Sequence, residues 1–283
     1  MFINLKYYNK KGDSIEIGVK RPFILKILEG VSNTQTNSNT YRGVAQDGET
    51  YKGSTLDIRI ITLEFSIWGY SIEDAELKKD KLYRVFNPKE EGYLVVEYAN
   101  DIKVIKCVPD IPEINKEANT NFFDAQIQLT AYDPYFYDYT ENMQELKTLI
   151  NGFKFPLKLP TKFKEFGPTK VNIFNNGHVC TPVKILFIGS ADNPCVTNLT
   201  TGKFIKVNKT LLSNEKLEIT TGYGNKKVTL IKADGSKENA FHYIDLNSEF
   251  WNLEAGDNLV EYTTDSLTPV GVQIYFTERY LGI

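Results

Sequence analysis

The stretch Tyr41-Arg42-Gly43-Val44-Ala45-Gln46-Asp47-Gly48-Glu49-Thr50-Tyr51, continued by Ser54-Thr55-Leu56-Asp57-Ile58-Arg59 and Ile61-Thr62-Leu63-Glu64-Phe65-Ser66-Ile67, decides the fold class. It runs from a turn-rich loop into strict alternation. Ile61, Leu63, Phe65 and Ile67 fall on one side and Thr62, Glu64 and Ser66 on the other, which predicts a half-buried strand. The next residues, Ser71-Ile72-Glu73-Asp74, have the form of a helix start: the Ser71 hydroxyl is placed to accept an orphan backbone N–H and Asp74 to answer it. Ile72, Ala75, Leu82, Val85 and Phe86 then make a helical apolar stripe, with Lys78, Lys79, Asp80 and Lys81 on the solvated side. Pro88 disfavours helical geometry at Asn87 and marks the end.

Outward from this centre, residues 2–8, 14–19 and 22–31 read as extended segments separated by turn signals. Residues 32–40 are polar without periodicity and read as a flexible loop or as the exposed arm of a strand. Residues 92–98 and 102–108 flank the short connection Ala99-Asn100-Asp101, as in a hairpin. Ala125, Ile127, Leu129 and Ala131 alternate with Gln126, Gln128, Thr130 and Tyr132 up to Pro134. Character changes from residue 139 on: a short polar helix is predicted around 141–150, followed by Gly152, Pro156 and Pro160 in a Lys/Phe-rich run. The reading is therefore a first domain over 1–138, a linker over 139–168 and a second domain over 169–283.

In the second domain, strands are predicted at 171–175, 183–188, 194–198, 204–207, 216–221, 227–231, 240–246, 258–263 and 270–276, with no helix-length stripe among them. Asn176-Gly177, Thr201-Gly202, Asp234-Gly235 and Gly256-Asp257 supply turns. This is the pattern of an antiparallel sandwich.

A chain of 283 residues with 41% hydrophobic side chains can bury two cores of ordinary size. A net charge of −3 gives no clustered basic face for nucleic acid. Three cysteines, Cys107, Cys180 and Cys195, show neither a disulfide framework nor zinc spacing. No run approaches the roughly 20 apolar residues of a membrane helix, so the expectation is a soluble protein made inside the cell. Asn198-Leu199-Thr200 and Asn208-Lys209-Thr210 match the glycosylation sequon by chance on that reading.

Catalytic patterns are missing from the sequence. The two histidines, His178 and His242, are far apart, and there is no GxSxG elbow, P-loop or GxGxxG; Gly222-Tyr223-Gly224-Asn225 reads as a hairpin turn before a strand. The expectation is a non-enzymatic chain with no cofactor and no metal. The aromatic content, 17 Tyr and 17 Phe against 2 Trp, suits core and interface packing. A sugar-stacking platform around Tyr243, Phe250 and Trp251 is the alternative use, which would make the chain a carbohydrate-binding host-adhesion protein.

The chain resembles the distal tail proteins of bacteriophages with long flexible tails. The resemblance rests on Tyr41-Arg42-Gly43, Asp47-Gly48, the Ser54-Thr55-Leu56-Asp57 entry to the long strand, Pro88 and the close Gln126-Ile127-Gln128-Leu129-Thr130-Ala131-Tyr132-Asp133-Pro134-Tyr135-Phe136. Asn176-Gly177, Thr181-Pro182-Val183, Asn198-Leu199-Thr200-Thr201-Gly202 and Arg279-Tyr280-Leu281-Gly282-Ile283 extend it through the second half. It implies a mainly β, two-domain protein: an N-terminal β-sandwich with one α-helix and a long hairpin or arm, and a C-terminal jelly-roll or galectin-like β-sandwich. It further implies a hexameric ring joining the tail tube protein to the tail-tip hub protein and scaffolding receptor-binding proteins. The location implied is the virion tail, after synthesis in the bacterial cytoplasm, with no nucleic-acid partner and no membrane insertion. In some relatives the end of the chain returns to the first domain, a role open to residues 270–283 here.

A ring uses heterologous contacts, which call for extended arms and not for a cleft. Residues 31–51 are accordingly expected to form an arm in subunit contact. Asn33, Thr36, Asn39, Tyr41, Arg42, Asp47, Tyr51 and Asp57 are its candidate interface residues, and Arg42 and Asp57 a candidate ion pair within or between subunits.

Overall fold

A computed structural model describes residues 3–99, 101–116, 120–146, 169–266 and 271–283. The chain divides into one compact unit of Met1–Tyr139 with Tyr280–Ile283, and a second of Thr140–Arg279.

The first unit contains β1 (Ile3–Asn9), β2 (Ser14–Ile17), β3 (Phe23–Glu29), β4 (Thr36–Tyr41), β5 (Thr50–Leu56), β6 (Arg59–Trp68), α1 (Ile72–Val85), β7 (Gly92–Tyr98), β8 (Asp101–Pro109), β9 (Glu113–Lys116), β10 (Phe122–Ala131) and β11 (Phe136–Asp138). One sheet runs β2-β1-β7-β8-β10-β6-β3, with β9 on β10 and β11 on β8. In β6, between β10 and the edge strand β3, the alternation acts as expected. Ile61, Leu63, Phe65 and Ile67 are fully buried and lie opposite Leu129, Ile127, Ala125 and Phe123 of β10 in antiparallel register. A one-residue slip would turn all eight apolar side chains outward, so burial itself fixes the pairing. Each large aliphatic side chain buried this way contributes on the order of 1.5–3 kcal/mol before the entropy of ordering is subtracted.

Ser66 departs from the simple two-face reading. It is buried on the outer face and its Oγ donates to Asp124 Oδ1 at 2.8 Å, the same oxygen that takes Lys26 Nζ at 2.6 Å.

The helix starts as its sequence dictates: Ser71 Oγ accepts the Asp74 N–H at 3.2 Å. The return contact reaches one residue further back than a standard capping box, because Asp74 Oδ2 accepts the N–H of Tyr70 at 2.7 Å. Ala75, Leu82, Val85 and Phe86 are buried, whereas Ile72 is exposed at the first turn. Phe86 closes the helix against the Tyr7 ring, centroids 4.7 Å apart.

The second unit contains β12 (Asn142–Leu146), β13 (Thr169–Asn175), β14 (Thr181–Ile188), β15 (Ala191–Asp192), β16 (Cys195–Asn198), β17 (Lys203–Lys206), β18 (Thr210–Leu211), β19 (Lys216–Thr220), β20 (Lys227–Ile231), β21 (Lys237–Asn239), β22 (Asn252–Leu253), β23 (Gly256–Thr263) and β24 (Val272–Phe276). One sheet is β12-β24-β14-β19-β20-β21 and the other β13-β23-β16-β17. Ile185, Phe187 and Ile274 of the first face Ile173, Val196, Val260 and Tyr262 of the second in a single core, which is a sandwich of antiparallel sheets.

Two predicted elements are corrected here. Residues 141–146 are not helical: β12 pairs antiparallel with β24 from Asn142↔Phe276 to Leu146↔Val272. A short polar segment has no apolar stripe to stabilise a helix and nucleating one is costly, so ladder hydrogen bonds from a distant strand prevail. The remainder of that prediction, with Gly152, Pro156 and Pro160, lies outside the described residues. Residues 240–246 are not a strand either. Asn239 Oδ1 accepts the Phe241 N–H at 3.0 Å and turns the backbone into a 3-10 helix, Phe241–Tyr243.

Asn198 is fully buried and its Oδ1 accepts the N–H groups of Thr200 and Thr201 at 3.0 and 3.3 Å. Its place in a sequon is therefore a by-product of turn chemistry.

Candidate assembly surface

Residues 32–40 are not a loop throughout. From Thr36 the backbone is β4, paired with β5 from Thr36↔Leu56 to Tyr41↔Thr50, with a register shift between Asn39 and Thr40. The sequence hides this strand because every residue of β4 is exposed, so no apolar alternation marks it. The hairpin forms a two-stranded sheet separate from the larger one. Among the described residues neither of its outer edges is covered by a third strand, and isolated hairpins are marginal in water.

Asn33, Thr36, Asn39, Tyr41, Arg42, Asp47 and Tyr51 are exposed and Asp57 is half-buried. Tyr41 and Tyr51, each 63% exposed, flank the ladder end beside Val44 at the turn, which is fully exposed. Thr40 and Tyr51 are direct partners in the ladder. The Arg42–Asp57 ion pair is not made within the protomer among the described residues: Arg42 Nε donates to Gln46 O at 3.1 Å, while Asp57 accepts from Asn37 at 3.4 Å and from the Ile58 N–H at 2.8 Å. Local turn geometry satisfies both groups before they can meet.

At its root the arm is closed by Asp57 N–H to Gln35 O at 2.9 Å. Immediately beyond stands a residue whose role the sequence reading missed. Arg59 is wholly buried, and among the described residues its partners are backbone oxygens. Its Nε donates to Pro134 O at 2.7 Å, and its Nη1 to Gly30, Val31 and Asn33 oxygens at 2.7, 3.1 and 3.1 Å. Its Nη2 donates to Leu281 O, and the guanidinium lies 5.0 Å from the centre of the Phe136 ring. Burial lowers its pKa. The signal was one of parity: Arg59 lies two and four residues before Ile61 and Leu63, and so on the core side of β6.

Gly30 serves the same node. Its φ is +82°, and a Cβ there would lie 2.0 Å from Ile60 O, so the backbone can approach β6 only as glycine.

The last residues, Tyr280–Ile283, belong to the first unit. β25 (Arg279–Tyr280) pairs with β11. Tyr280 OH donates to Asp138 Oδ2 at 3.1 Å, Ile283 N–H to Val31 O at 3.2 Å, and Ser32 Oγ to Ile283 O at 3.3 Å.

Of the candidate sugar platform, Trp251 is corrected, while Tyr243 and Phe250 are half-buried. Trp251 is 2% exposed inside the second core, and a buried indole offers no face to a ligand. Phe250 stacks on Phe241 at 5.7 Å and Tyr243 packs on His242 at 3.9 Å. Among the described residues no group of three His, Cys, Asp or Glu side chains is placed to hold a metal, and no helix is long and apolar enough to cross a membrane.

Two units of mainly antiparallel sheet, with one α-helix among the described residues and an exposed two-stranded hairpin, define a mainly β protein. Residues 10–131 match the family model of the phage tail protein RIFT-related domain, and residues 176–280 that of the siphovirus-type tail component, C-terminal domain. The chain belongs to the siphovirus distal tail protein family. Its fold is similar to the crystal structure of the Dit protein (gp 19.1) of phage SPP1, a hub of the adsorption apparatus in phages that infect Gram-positive bacteria, with TM-score 0.71, 13% identity and coverage of 98% of this chain and 99% of that one. It is also similar to a chain of the phage P2 baseplate in its activated conformation with calcium, with TM-score 0.54, 14% identity and full coverage of both chains. No curated protein sequence matches it.

Proposed function

We propose that this chain is a structural distal tail protein, the hub of a phage or phage-like tail tip. It assembles as a hexameric ring between tail tube and tip and carries host-attachment proteins in the virion tail. The observation that supports this reading is the β4–β5 arm: a mostly polar and exposed ladder whose two outer edges carry no third strand among the described residues, of the kind that gains stability from a neighbouring subunit. The fold is that of the SPP1 hub protein, and family and fold are those of structural tail proteins without catalytic activity.

The reading as a carbohydrate-binding adhesion protein loses its central aromatic, because Trp251 is buried.

The test is the mass in solution of the 32.3 kDa chain by light scattering over a concentration series, with negative-stain imaging, compared with a variant in which residues 36–56 are replaced by a short Gly-Ser link. Gln35 and Asp57 are already hydrogen bonded, so the link closes without strain. Rings from the intact chain and a folded monomer from the variant are expected; rings from the variant would remove the arm from the assembly.

A further inference from the structure

The arm root and the end of the chain share one buried node. Arg59 bonds to Gly30, Val31 and Asn33, which lead into the arm, and to Leu281 in the tail. The tail in turn bonds directly to the arm root through Ile283 N–H to Val31 O and Ser32 Oγ to Ile283 O. Contact is tight: a Cβ on Gly282 would lie 2.6 Å from Ser32 O and 3.1 Å from Val31 O. Tyr280 fixes the near end of the tail on Asp138 and under Lys103, whose Nζ lies 3.9 Å from its ring centre.

The arm's own anchorage is slight by comparison. It is held by the Asp57–Gln35 backbone bond, the Asn37–Asp57 contact and Thr34 Oγ1 to Ile58 O at 3.4 Å. All of β4 and all of β5 but the half-buried Gly53 and Leu56 are exposed, and such elements open at low cost unless their base is fixed.

We propose that Tyr280–Ile283 is a latch for the arm. With the tail seated, Ile283 and Gly282 against Val31 and Ser32, together with Arg59 bridging Leu281 to residues 30–33, hold the arm root in one conformation. With the tail unseated, Val31 and Ser32 lose Ile283 and Gly282, Arg59 loses Leu281, and the arm pivots. On the ring reading above, linkage requires that a subunit contact which orders the arm also tightens the tail by the same factor.

Amide hydrogen exchange on the monomer tests the latch without reference to assembly. Two variants are compared with the full chain: one lacking residues 280–283, and Gly282→Val, whose side chain would collide with Ser32 O. In both, amides of β4, β5 and Asp57 are expected to exchange at least about tenfold faster, while those of β6 and β10 stay within about twofold. Unchanged exchange in the arm of the deletion variant would overturn the proposal, as would an equal loss of protection across the whole first unit, which would make the tail a general support and not a latch. Light scattering on the same variants reads the ring separately, so a failed latch and a failed ring are distinguishable.

Discussion

The Lys103 ammonium sits 3.9 Å from the centre of the Tyr280 ring and hydrogen bonds to Asp138 Oδ1 at 2.5 Å and Asp101 Oδ1 at 3.0 Å. Lys103 is nearly buried. Burial alone would lower its pKa, but the bonds it donates to Asp138 and Asp101 outweigh that and raise it above the ordinary lysine value. A raised folded-state pKa stabilises the fold below the unfolded value, near 10.4, and the contribution is lost as pH rises through the folded value above it. Melting of the first unit is therefore expected to fall more steeply between about pH 10 and 12 in the wild type than in Lys103→Gln. Parallel curves for the two proteins would show that the ammonium is not what holds Tyr280.

Arg59 donates to five backbone oxygens, and a lysine cannot span them, because its three donors radiate from one atom. Arg59→Lys leaves buried carbonyls unpaired at about 1–3 kcal/mol each, so a loss of at least about 3 kcal/mol is expected. Trp68 in the first unit and Trp251 in the second let fluorescence in a Trp251→Phe background report on the first unit alone. A shift of under about 1 kcal/mol would place the stability of this node elsewhere, in packing around Phe136.

Legibility in the sequence followed the range of the physics involved. The β6 strand and the start of α1 were readable because alternation and capping act within a few residues. The arm strand β4 was not, since both its faces are exposed and its only signature is its pairing with β5. β12 was misread because its partner β24 lies over a hundred residues away, and local composition carries no trace of that contact. At the candidate surface, seven of the eight named residues are exposed and the eighth, Asp57, half-buried, yet Arg59 was passed over. Its inward parity was visible, but its carbonyl partners come from three distant parts of the chain.

Trp251 separates a core role from a ligand role. Its ring is buried and its Nε1 has no hydrogen-bond partner among the described residues. Trp251→Ala should cost about 3–5 kcal/mol in the second unit. Trp251→Phe removes the unpaired N–H along with some packing and should cost under about 1.5 kcal/mol. Urea unfolding followed by circular dichroism gives both values. Equal, small losses for the two variants would argue that the indole is more accessible than its position implies.

The Lys26–Asp124–Ser66 chain predicts how the first unit responds to acid. Burial pushes the Asp124 carboxyl up, but hydrogen bonds from Lys26 and Ser66 prevail and leave it below its ordinary value. A depressed folded-state pKa contributes stability that is fully present above the unfolded value, near 3.9, and lost as pH falls through the folded value beneath it. Lys26 and Asp124 are both more than a third exposed, so salt should weaken the ion pair. Ser66 is buried and its bond should persist in salt. Asp124→Asn is therefore expected to flatten the fall in melting temperature between about pH 5 and 2, and Ser66→Ala to lower stability at neutral pH by about 1 kcal/mol at both low and high ionic strength. If salt abolished the Ser66→Ala loss, the hydroxyl would be acting through the exposed ion pair and not through its own bond to the carboxylate that crosses from β6 to β10.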